Sequence, residues 1–202
     1  MRLLLVRHGQ TDWNLDGRYQ GRVDVPLNGA GLEQAALLAR DLAGRQIDLL
    51  ISSPLRRAMD TAGAIAEARG LEVRSDPRLR EINLGEWEGQ LSTKIAEDYP
   101  KLFPRWISDP GTVRPPGGET IAEVHDRVIP ALEELAVANP GRTVCVVVHK
   151  VVMVVVRCHY LGLDLREEMG RMPANGRWEE MEIFSKTRLR DCCSASTPVP
   201  LS

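Results

Sequence analysis

Histidine and arginine side chains follow three short apolar segments of the sequence, and both residue types bind or transfer phosphoryl groups. A guanidinium group can donate to two phosphate oxygens at once, and a neutral imidazole can attack phosphorus and carry the phosphoryl group. The segments are 3–6, 47–51 and 143–148, and the groups after them are Arg7 with His8, then Arg57, then His149. Arg7 and His8 taken alone also fit a structural role at a strand end. A phosphate site therefore requires that the groups after the three segments lie close together in the folded protein.

The pattern of strands and helices in the sequence predicts that these side chains lie close together. Each apolar segment has the length of a buried strand, and residues 28–43 and 54–70 have the apolar spacing of helices. Alternating strands and helices indicate an α/β protein with a mostly parallel central sheet. Neighbouring parallel strands end at one edge of the sheet, which is where α/β proteins bind ligands. We therefore expect a cluster of imidazole and guanidinium groups at that edge, beside a helix N-terminus that itself attracts anions.

Local signals set the expected ends of several elements. Suitable N-caps are Asn28, Ser53 and Thr120, and Glu123 completes a capping box with Thr120. We expect a long loop over residues 13–27, a helix over 151–161 and a last strand over 180–184. The pattern predicts a single domain over residues 1–186, followed by a loosely ordered tail over 187–202.

The composition argues against several classes of partner. The chain has 202 residues and a net charge of −2, so it has no bulk attraction to nucleic acid or to an acidic membrane. No apolar stretch is long enough to cross a bilayer, and the first residues do not resemble a signal peptide. The four cysteines lack zinc-binding spacing, and the sequence contains neither a Walker loop nor an aspartate cluster for Mg²⁺. We therefore expect a cytoplasmic protein that uses no metal and no cofactor.

Phosphoryl transfer with these groups also needs a proton donor for the leaving alkoxide. Without a metal, the arginines must stabilise the transferring phosphoryl group, which moves first to a histidine and then to water. A carboxylic acid could supply the proton. The segment 79–89 contains Glu81, Glu86 and Glu88, and their residue type alone does not choose among them.

Several motifs together make the sequence similar to one known family. The chain resembles the histidine phosphatase superfamily, which is also called phosphoglycerate mutase-like. The matching segments are LLLVRHGQTDWN at 3–14, RYQGRVDVPLNGAG at 18–31, SSPLRRAMDTA at 52–62, LREINLGEWEG at 79–89, PPGGET at 115–120 and VVVHK at 146–150. These segments occur in the same order along the chain as in members of the family.

The resemblance implies a fold and a set of roles. It implies a three-layer α/β/α sandwich with a mostly parallel sheet. In this sandwich His8 accepts the phosphoryl group and Glu81 is the general acid and base. The phosphate partners that it implies are Arg7, Arg57 and His149, with further contacts from Asn14 and from the backbone near Gln20 and Gly21.

The segment between residues 89 and 117 favours a phosphatase within this family. It is short, and acidic residues accompany its few cations, whereas phosphoglycerate mutases generally carry a longer and more basic insertion there. It looks most like small-molecule phosphatases, such as metal-independent phosphoserine phosphatases and α-ribazole phosphatases. We expect a small phosphorylated metabolite as the partner and leave a homodimer open. The alternatives are a mutase, or a non-catalytic module that binds a phosphorylated ligand.

Lys150 departs from the family pattern, which more often has a small or polar residue after the second histidine. A lysine there could pack away from the pocket, or it could add positive charge for a more anionic substrate. We expect the first. We also expect Trp13 and Trp106 to serve in packing rather than to stack on the substrate.

Overall fold

A five-stranded sheet forms the centre of the protein. The computed structural model describes residues 1–171 and 174–183, so the expected tail over 187–202 lies outside the described residues. The strands are β1 (Arg2–Arg7), β2 (Leu49–Ser52), β3 (Val73–Ser75), β4 (Thr143–Val148) and β5 (Trp178–Glu182). Their order across the sheet is β3-β2-β4-β1-β5. The first four strands are parallel, and β5 is antiparallel to β1, so the sheet is mostly parallel as predicted.

Eight α-helices occur in the part of the chain that the structure describes. They are α1 (Asp12–Asp16), α2 (Gly29–Asp41), α3 (Arg56–Arg69), α4 (Ser92–Asp98), α5 (Phe103–Ser108), α6 (Ile121–Ala138), α7 (Lys150–Leu161) and α8 (Leu165–Arg171). Asn28 caps α2 through its side chain, and Thr120 and Glu123 form the expected capping box on α6. The helix expected over 151–161 is confirmed as α7, which begins one residue earlier.

Side chains of the central strands alternate between two apolar clusters, one on each face of the sheet. On β1, Leu3 and Leu5 pack in the cluster that includes α6 and α7, while Leu4 and Val6 pack in the cluster that includes α2 and α3. All six residues of β4 are buried, because this strand is covered on both faces. Burying both faces of the sheet under helices gives the three-layer α/β/α sandwich, and the expected fold class is confirmed.

The strand register brings three strand ends to one level. Arg7 of β1 lies opposite Val148 of β4, and Ser52 of β2 lies opposite Val147. The chain leaves these strands at His8, Ser53 and His149, so these three residues lie side by side at the carboxyl edge. The structure therefore confirms the prediction that the three strand ends meet at one edge of the sheet.

Three local expectations differ from the structure. The segment 13–27 is not all loop, because α1 occupies its first part, with Thr11 and Asn14 forming a capping box. Ser53 is not the N-cap of α3, which begins only at Arg56. The Ser53 hydroxyl lies instead 2.7 Å from a ring nitrogen of His149. The last strand runs over Trp178–Glu182 rather than 180–184, and residue 184 lies outside the described part.

Candidate active site

His8 lies just beyond β1 and is 3% exposed. Its Nδ1 is 2.6 Å from the carbonyl oxygen of Gly9. A carbonyl oxygen only accepts hydrogen bonds, so Nδ1 must carry the proton and Nε2 must hold the free lone pair. Burial, followed by the positive charge of Arg57, holds the pKa of His8 well below its ordinary value. The neutral imidazole that results has its nucleophilic electron pair on Nε2.

His149 lies next to His8 and is fully buried. The ring centroids of the two histidines are 5.1 Å apart, with 57° between the ring planes. His149 Nε2 is 2.7 Å from the Ser53 hydroxyl, and Nδ1 has no hydrogen-bond partner among the described residues. Burial and then Arg57 lower the pKa of His149 well below its ordinary value. Two neutral imidazoles can therefore lie close together without charge repulsion.

Arg57, near the start of α3, is a buried cation at 1% exposure. Its Nη1 donates to Val23 O and its Nη2 donates to Gly21 O, each at 2.8 Å. Its Nε has no hydrogen-bond partner within the described residues. Burial lowers the pKa of Arg57, and the negative charge of Glu81 opposes that shift. This guanidinium thus places positive charge beside His8 and holds the loop that follows Gln20.

That loop depends on a glycine. Gly21 has a φ of +50°, in the left-handed region that favours glycine, and a Cβ here would collide with the side chain of Glu88. Glu88 Oε1 accepts hydrogen bonds from the backbone N–H groups of Arg22 and Leu84, at 2.9 and 3.0 Å. Gln20 is buried and lines the cavity beside the loop. Glu88 therefore stabilises the loop at Gly21 through these backbone hydrogen bonds.

Asn14 reaches the cavity from α1, and hydrogen bonds fix the direction of its side chain. Its Oδ1 accepts from the N–H of Thr11 at 3.1 Å and from the Asn175 amide at 3.2 Å. Because the oxygen is occupied, the amide NH₂ of Asn14 is the group left to donate to a ligand. The Asn175 amide also donates to the carbonyl oxygen of His8, at 3.1 Å, so it connects the Asn14 side chain to the backbone of His8.

Glu81 is the carboxylate of its segment that lines the cavity. Its Oε2 accepts from the N–H of Val151 at 3.2 Å, in the first turn of α7, and its Oε1 accepts from Ile82 N–H at 2.9 Å. Glu86 is exposed and accepts a hydrogen bond from the Tyr99 hydroxyl. The structure therefore separates the three glutamates that residue type alone left equivalent: Glu81 faces the cavity, Glu86 faces solvent, and Glu88 braces the Gly21 loop.

A second carboxylate orders the backbone of Glu81. Arg22 and Arg127 both donate to the carbonyl oxygen of Glu81, at 3.3 and 3.1 Å. Glu119 pairs with both arginines, at 2.7 and 3.1 Å. It also accepts from the N–H of Asn83, at 2.9 Å. Glu119 belongs to the PPGGET motif, but its contacts join segments far apart in sequence, and spacing alone gave no sign of them.

Gly9 allows two segments of backbone to approach each other closely. It does not have a positive φ. A Cβ at Gly9 would lie 2.5 Å from Gly31 O in α2, so the close approach of two backbones requires glycine. The N–H of Gly9 donates to the buried Thr61 hydroxyl at 3.0 Å. These contacts fix the segment that carries His8 against α2 and α3.

The site opens into a cavity of about 290 Å³ that has a charged side and an apolar side. The charged or polar lining residues include Arg7, His8, Asn14, Arg18, Gln20, Arg57, Glu81 and Lys150, and the apolar ones include Trp13, Ile82, Leu84, Trp106, Val151 and Met169. Lys150 does not pack away from the pocket, because its place as first residue of α7 sets it on the wall. Trp13 and Trp106 also reach the wall, so packing is not their only contact.

The sequence is similar to those of known proteins. The sequence model of the histidine phosphatase superfamily (branch 1) matches residues 3–189. The chain belongs to the histidine phosphatase superfamily. Phosphoserine phosphatase 1 of Hydrogenobacter thermophilus is 44% identical over 165 residues, which cover 82% of this chain and 78% of that protein. Glucosyl-3-phosphoglycerate phosphatase of Mycolicibacterium vanbaalenii is 37% identical over 189 residues, covering 89% and 83%.

Solved structures of this superfamily share the fold. A mycobacterial glucosyl-3-phosphoglycerate phosphatase, solved with VO3, has a TM-score of 0.82 at 36% identity and covers 90% of this chain and 92% of its own. The α-ribazole phosphatase of Shigella flexneri has a TM-score of 0.82 at 29% identity and covers 92% of each chain. The phosphatase relatives indicate that this member of the histidine phosphatase superfamily is a hydrolase of phosphate esters.

Two features are absent from the described residues. None of their helices is long and apolar enough to cross a membrane. They contain no group of three or more histidine, cysteine, aspartate or glutamate side chains that could hold a metal ion.

Proposed function

We propose that the chain hydrolyses small-molecule phosphomonoesters without a metal, through a phosphohistidine on His8 with Glu81 as proton donor. The observation that carries this proposal is the hydrogen bond from His8 Nδ1 to Gly9 O. It makes Nε2 the free nucleophile of a residue that lines the cavity. Arg7 and Arg57 line the same cavity and supply positive charge for the phosphoryl oxygens.

In the first step, His8 Nε2 attacks phosphorus. The P–N bond forms while the ester P–O bond breaks, and the Glu81 carboxyl gives its proton to the departing alkoxide. Arg7, Arg57 and the Asn14 amide hold the phosphoryl oxygens. The products of this step are the free alcohol and a phosphorylated His8.

In the second step, water attacks the phosphorylated histidine. The Glu81 carboxylate takes a proton from the water, whose oxygen forms a bond to phosphorus as the P–N bond breaks. His8 regains its lone pair on Nε2, and inorganic phosphate leaves. Glu81 is again protonated, so the enzyme returns to its starting state.

The positions of the cations in the segment between residues 89 and 117 favour hydrolysis over a mutase reaction, in which the phosphoryl group returns to a bound intermediate. Lys94 pairs with Asp98 at 2.7 Å, and Arg114 pairs with Glu123 at 2.7 Å. Neither Lys94 nor Arg114, nor Lys101 or Arg105, lines the cavity. A mutase needs positive charge in the cavity to bind a second phosphate, and the cations of this segment do not line the cavity. Within the phosphatases, the likeness to phosphoserine phosphatase 1 makes phosphoserine the first substrate to test.

The proposal is tested by phosphate release from a panel of phosphorylated metabolites and p-nitrophenyl phosphate, with and without EDTA. We expect turnover that EDTA leaves unchanged and that His8→Ala abolishes. Turnover by His8→Ala at the wild-type rate would overturn the histidine mechanism. Isomerisation of phosphoglycerate, stimulated by a bisphosphate, would instead identify a mutase. A binding module would release no phosphate from any ester.

A further inference from the structure

Lys150 is a cation of the cavity wall that the proposed mechanism does not use. It directly follows His149 and is the first residue of α7. Its side chain is half-buried and lines the same cavity as Arg7 and His8. The reaction on His8 therefore takes place within reach of an additional positive charge.

The Lys150 ammonium makes no hydrogen bond or ion pair with any described residue. Other cations of the wall are held by the protein, since Arg57 donates to two carbonyl oxygens and Arg18 pairs with Asp16 and donates to Gly89 O. A partly buried charge without a partner is unfavourable unless a ligand compensates it. Lys150 is thus arranged to meet an anion that comes from outside the chain.

The electrostatic surroundings of Lys150 agree with this arrangement. Burial, and then the positive charge of Arg7, lower the pKa of the Lys150 ammonium, while Glu81 acts in the opposite direction. A bound anion next to the ammonium would offset both the burial and the repulsion from Arg7. Arg7, Glu81 and Lys150 line the same cavity, so Lys150 lies near the groups that would hold the phosphoryl group.

We propose that Lys150 binds a second anionic group of the substrate, a carboxylate close to the ester, so that the preferred substrates are phosphate esters of hydroxy acids. This inference rests on the proposed phosphatase function. A single ammonium matches the single charge of a carboxylate, whereas a second phosphate would call for the further cations that residues 89–117 do not place on the wall. The apolar wall around Trp106 and Met169 accommodates the rest of the molecule.

The test compares pairs of esters that differ by one carboxylate. Phosphoserine is paired with phosphoethanolamine, and 3-phosphoglycerate with glycerol 3-phosphate. For each pair, the ratio of kcat/KM values is measured in the wild type, in Lys150→Met and in Lys150→Arg. The exposed Lys101 supplies the matched control, Lys101→Met. For esters that are not turned over, the ratio of inhibition constants against p-nitrophenyl phosphate replaces kcat/KM.

We expect the wild type to prefer the carboxylated member, and we expect Lys150→Met to reduce that preference on the order of 10- to 100-fold, which corresponds to the loss of one charge-assisted hydrogen bond. Lys150→Arg should restore part of the preference because it keeps the charge. Lys101→Met should keep the wild-type ratio.

Equal losses on both members of a pair would place Lys150 among the phosphoryl ligands and overturn the inference. A wild type without preference, or an unchanged ratio in Lys150→Met, would overturn it as well. These outcomes leave the phosphatase function intact. If the wild type releases no phosphate from any ester, the proposed function fails, and calorimetric titration of the same pairs still decides whether Lys150 selects the carboxylate.

Discussion

The imidazole of His8 and the carbonyl of Gly9 are joined by a hydrogen bond of 2.6 Å between Nδ1 and O. This contact fixes the tautomer of His8 through the backbone, and no carboxylate of the described residues forms a hydrogen bond with the ring. A carboxylate at that position would favour the charged imidazolium, whereas burial beside Arg57 favours the neutral ring. The proposed nucleophile, His8 Nε2, is therefore unprotonated before the substrate binds.

The depressed pKa values of His8 and His149 predict how stability depends on pH. Below about pH 6.5, the histidines of the unfolded chain bind protons that the folded histidines do not. The free energy of unfolding is therefore highest above that pH. It falls as the pH decreases, by up to about 1.4 kcal/mol per pH unit for each histidine, until the folded pKa is reached.

Urea unfolding between pH 7 and 5.5 measures this slope. His149→Gln should make it shallower by up to about 1.4 kcal/mol per pH unit, whatever the variant does to stability at pH 7. His125→Gln, at a half-exposed imidazole outside the site, is the control for removing a histidine. Identical slopes in the wild type and His149→Gln would show that the fold does not hold His149 neutral.

Arg57 and Arg56 are adjacent arginines with different surroundings, and they form a matched pair. Arg57→Met removes a buried cation from beside His8, together with the hydrogen bonds from its guanidinium to Gly21 O and Val23 O. We expect kcat/KM to fall on the order of 10²- to 10³-fold and the free energy of unfolding to fall by about 1–3 kcal/mol.

Arg56→Met removes a surface pair with Asp60 at 3.6 Å, so the free energy of unfolding should change by less than about 0.5 kcal/mol. Phosphate-release kinetics and denaturant unfolding compare the two variants. Equal effects of the two substitutions on kcat/KM would remove Arg57 from the proposed phosphate pocket.

The role of Glu81 as proton donor is tested by comparing substrates whose leaving groups differ in their need for a proton. An amide cannot supply the proton, so Glu81→Gln should lower kcat/KM for an alkyl phosphate about 10²- to 10⁴-fold. The loss should be much smaller for p-nitrophenyl phosphate, whose phenolate leaves without a proton. Glu86→Gln, at the exposed glutamate of the same segment, should keep the wild-type ratio of the two substrates. A loss in Glu81→Gln that is the same for both substrates would argue that Glu81 is not the proton donor.

The parts of the site that depend on strand ends could be predicted from the sequence. A buried strand followed by Arg7 and His8, and another followed by His149, can meet only at the carboxyl edge of a parallel sheet. The caps at Asn28 and Thr120 are local hydrogen bonds between residues three apart, so their spacing was sufficient to find them. Thr11 and Asn14 have the same spacing, and that signal could have revealed α1.

Other parts depend on contacts between distant segments, which spacing does not record. Glu119 orders the backbone of Glu81 through Arg22 and Arg127, and Asn175 reaches the carbonyl of His8 from the segment before β5. Lys150 faces the cavity because α7 begins at the sheet edge with that residue. A side chain's direction at the first turn of a helix follows from how the helix packs, and the sequence alone does not show it.

Trapping the phosphoryl group on His8 is the most direct test of the phosphohistidine mechanism. A hydroxy-acid phosphate ester is mixed with the enzyme and quenched within one turnover into alkaline denaturant, in which phosphohistidine survives, and the peptides are analysed by mass spectrometry. The proposed mechanism predicts one phosphoryl group on His8 and none in His8→Ala. With p-nitrophenyl phosphate, whose leaving group needs no proton, it predicts more phosphorylated His8 in Glu81→Gln, in which the attack of water is slow. Turnover with no phosphorylated His8 at any quench time, or with the phosphoryl group on another residue, would contradict it.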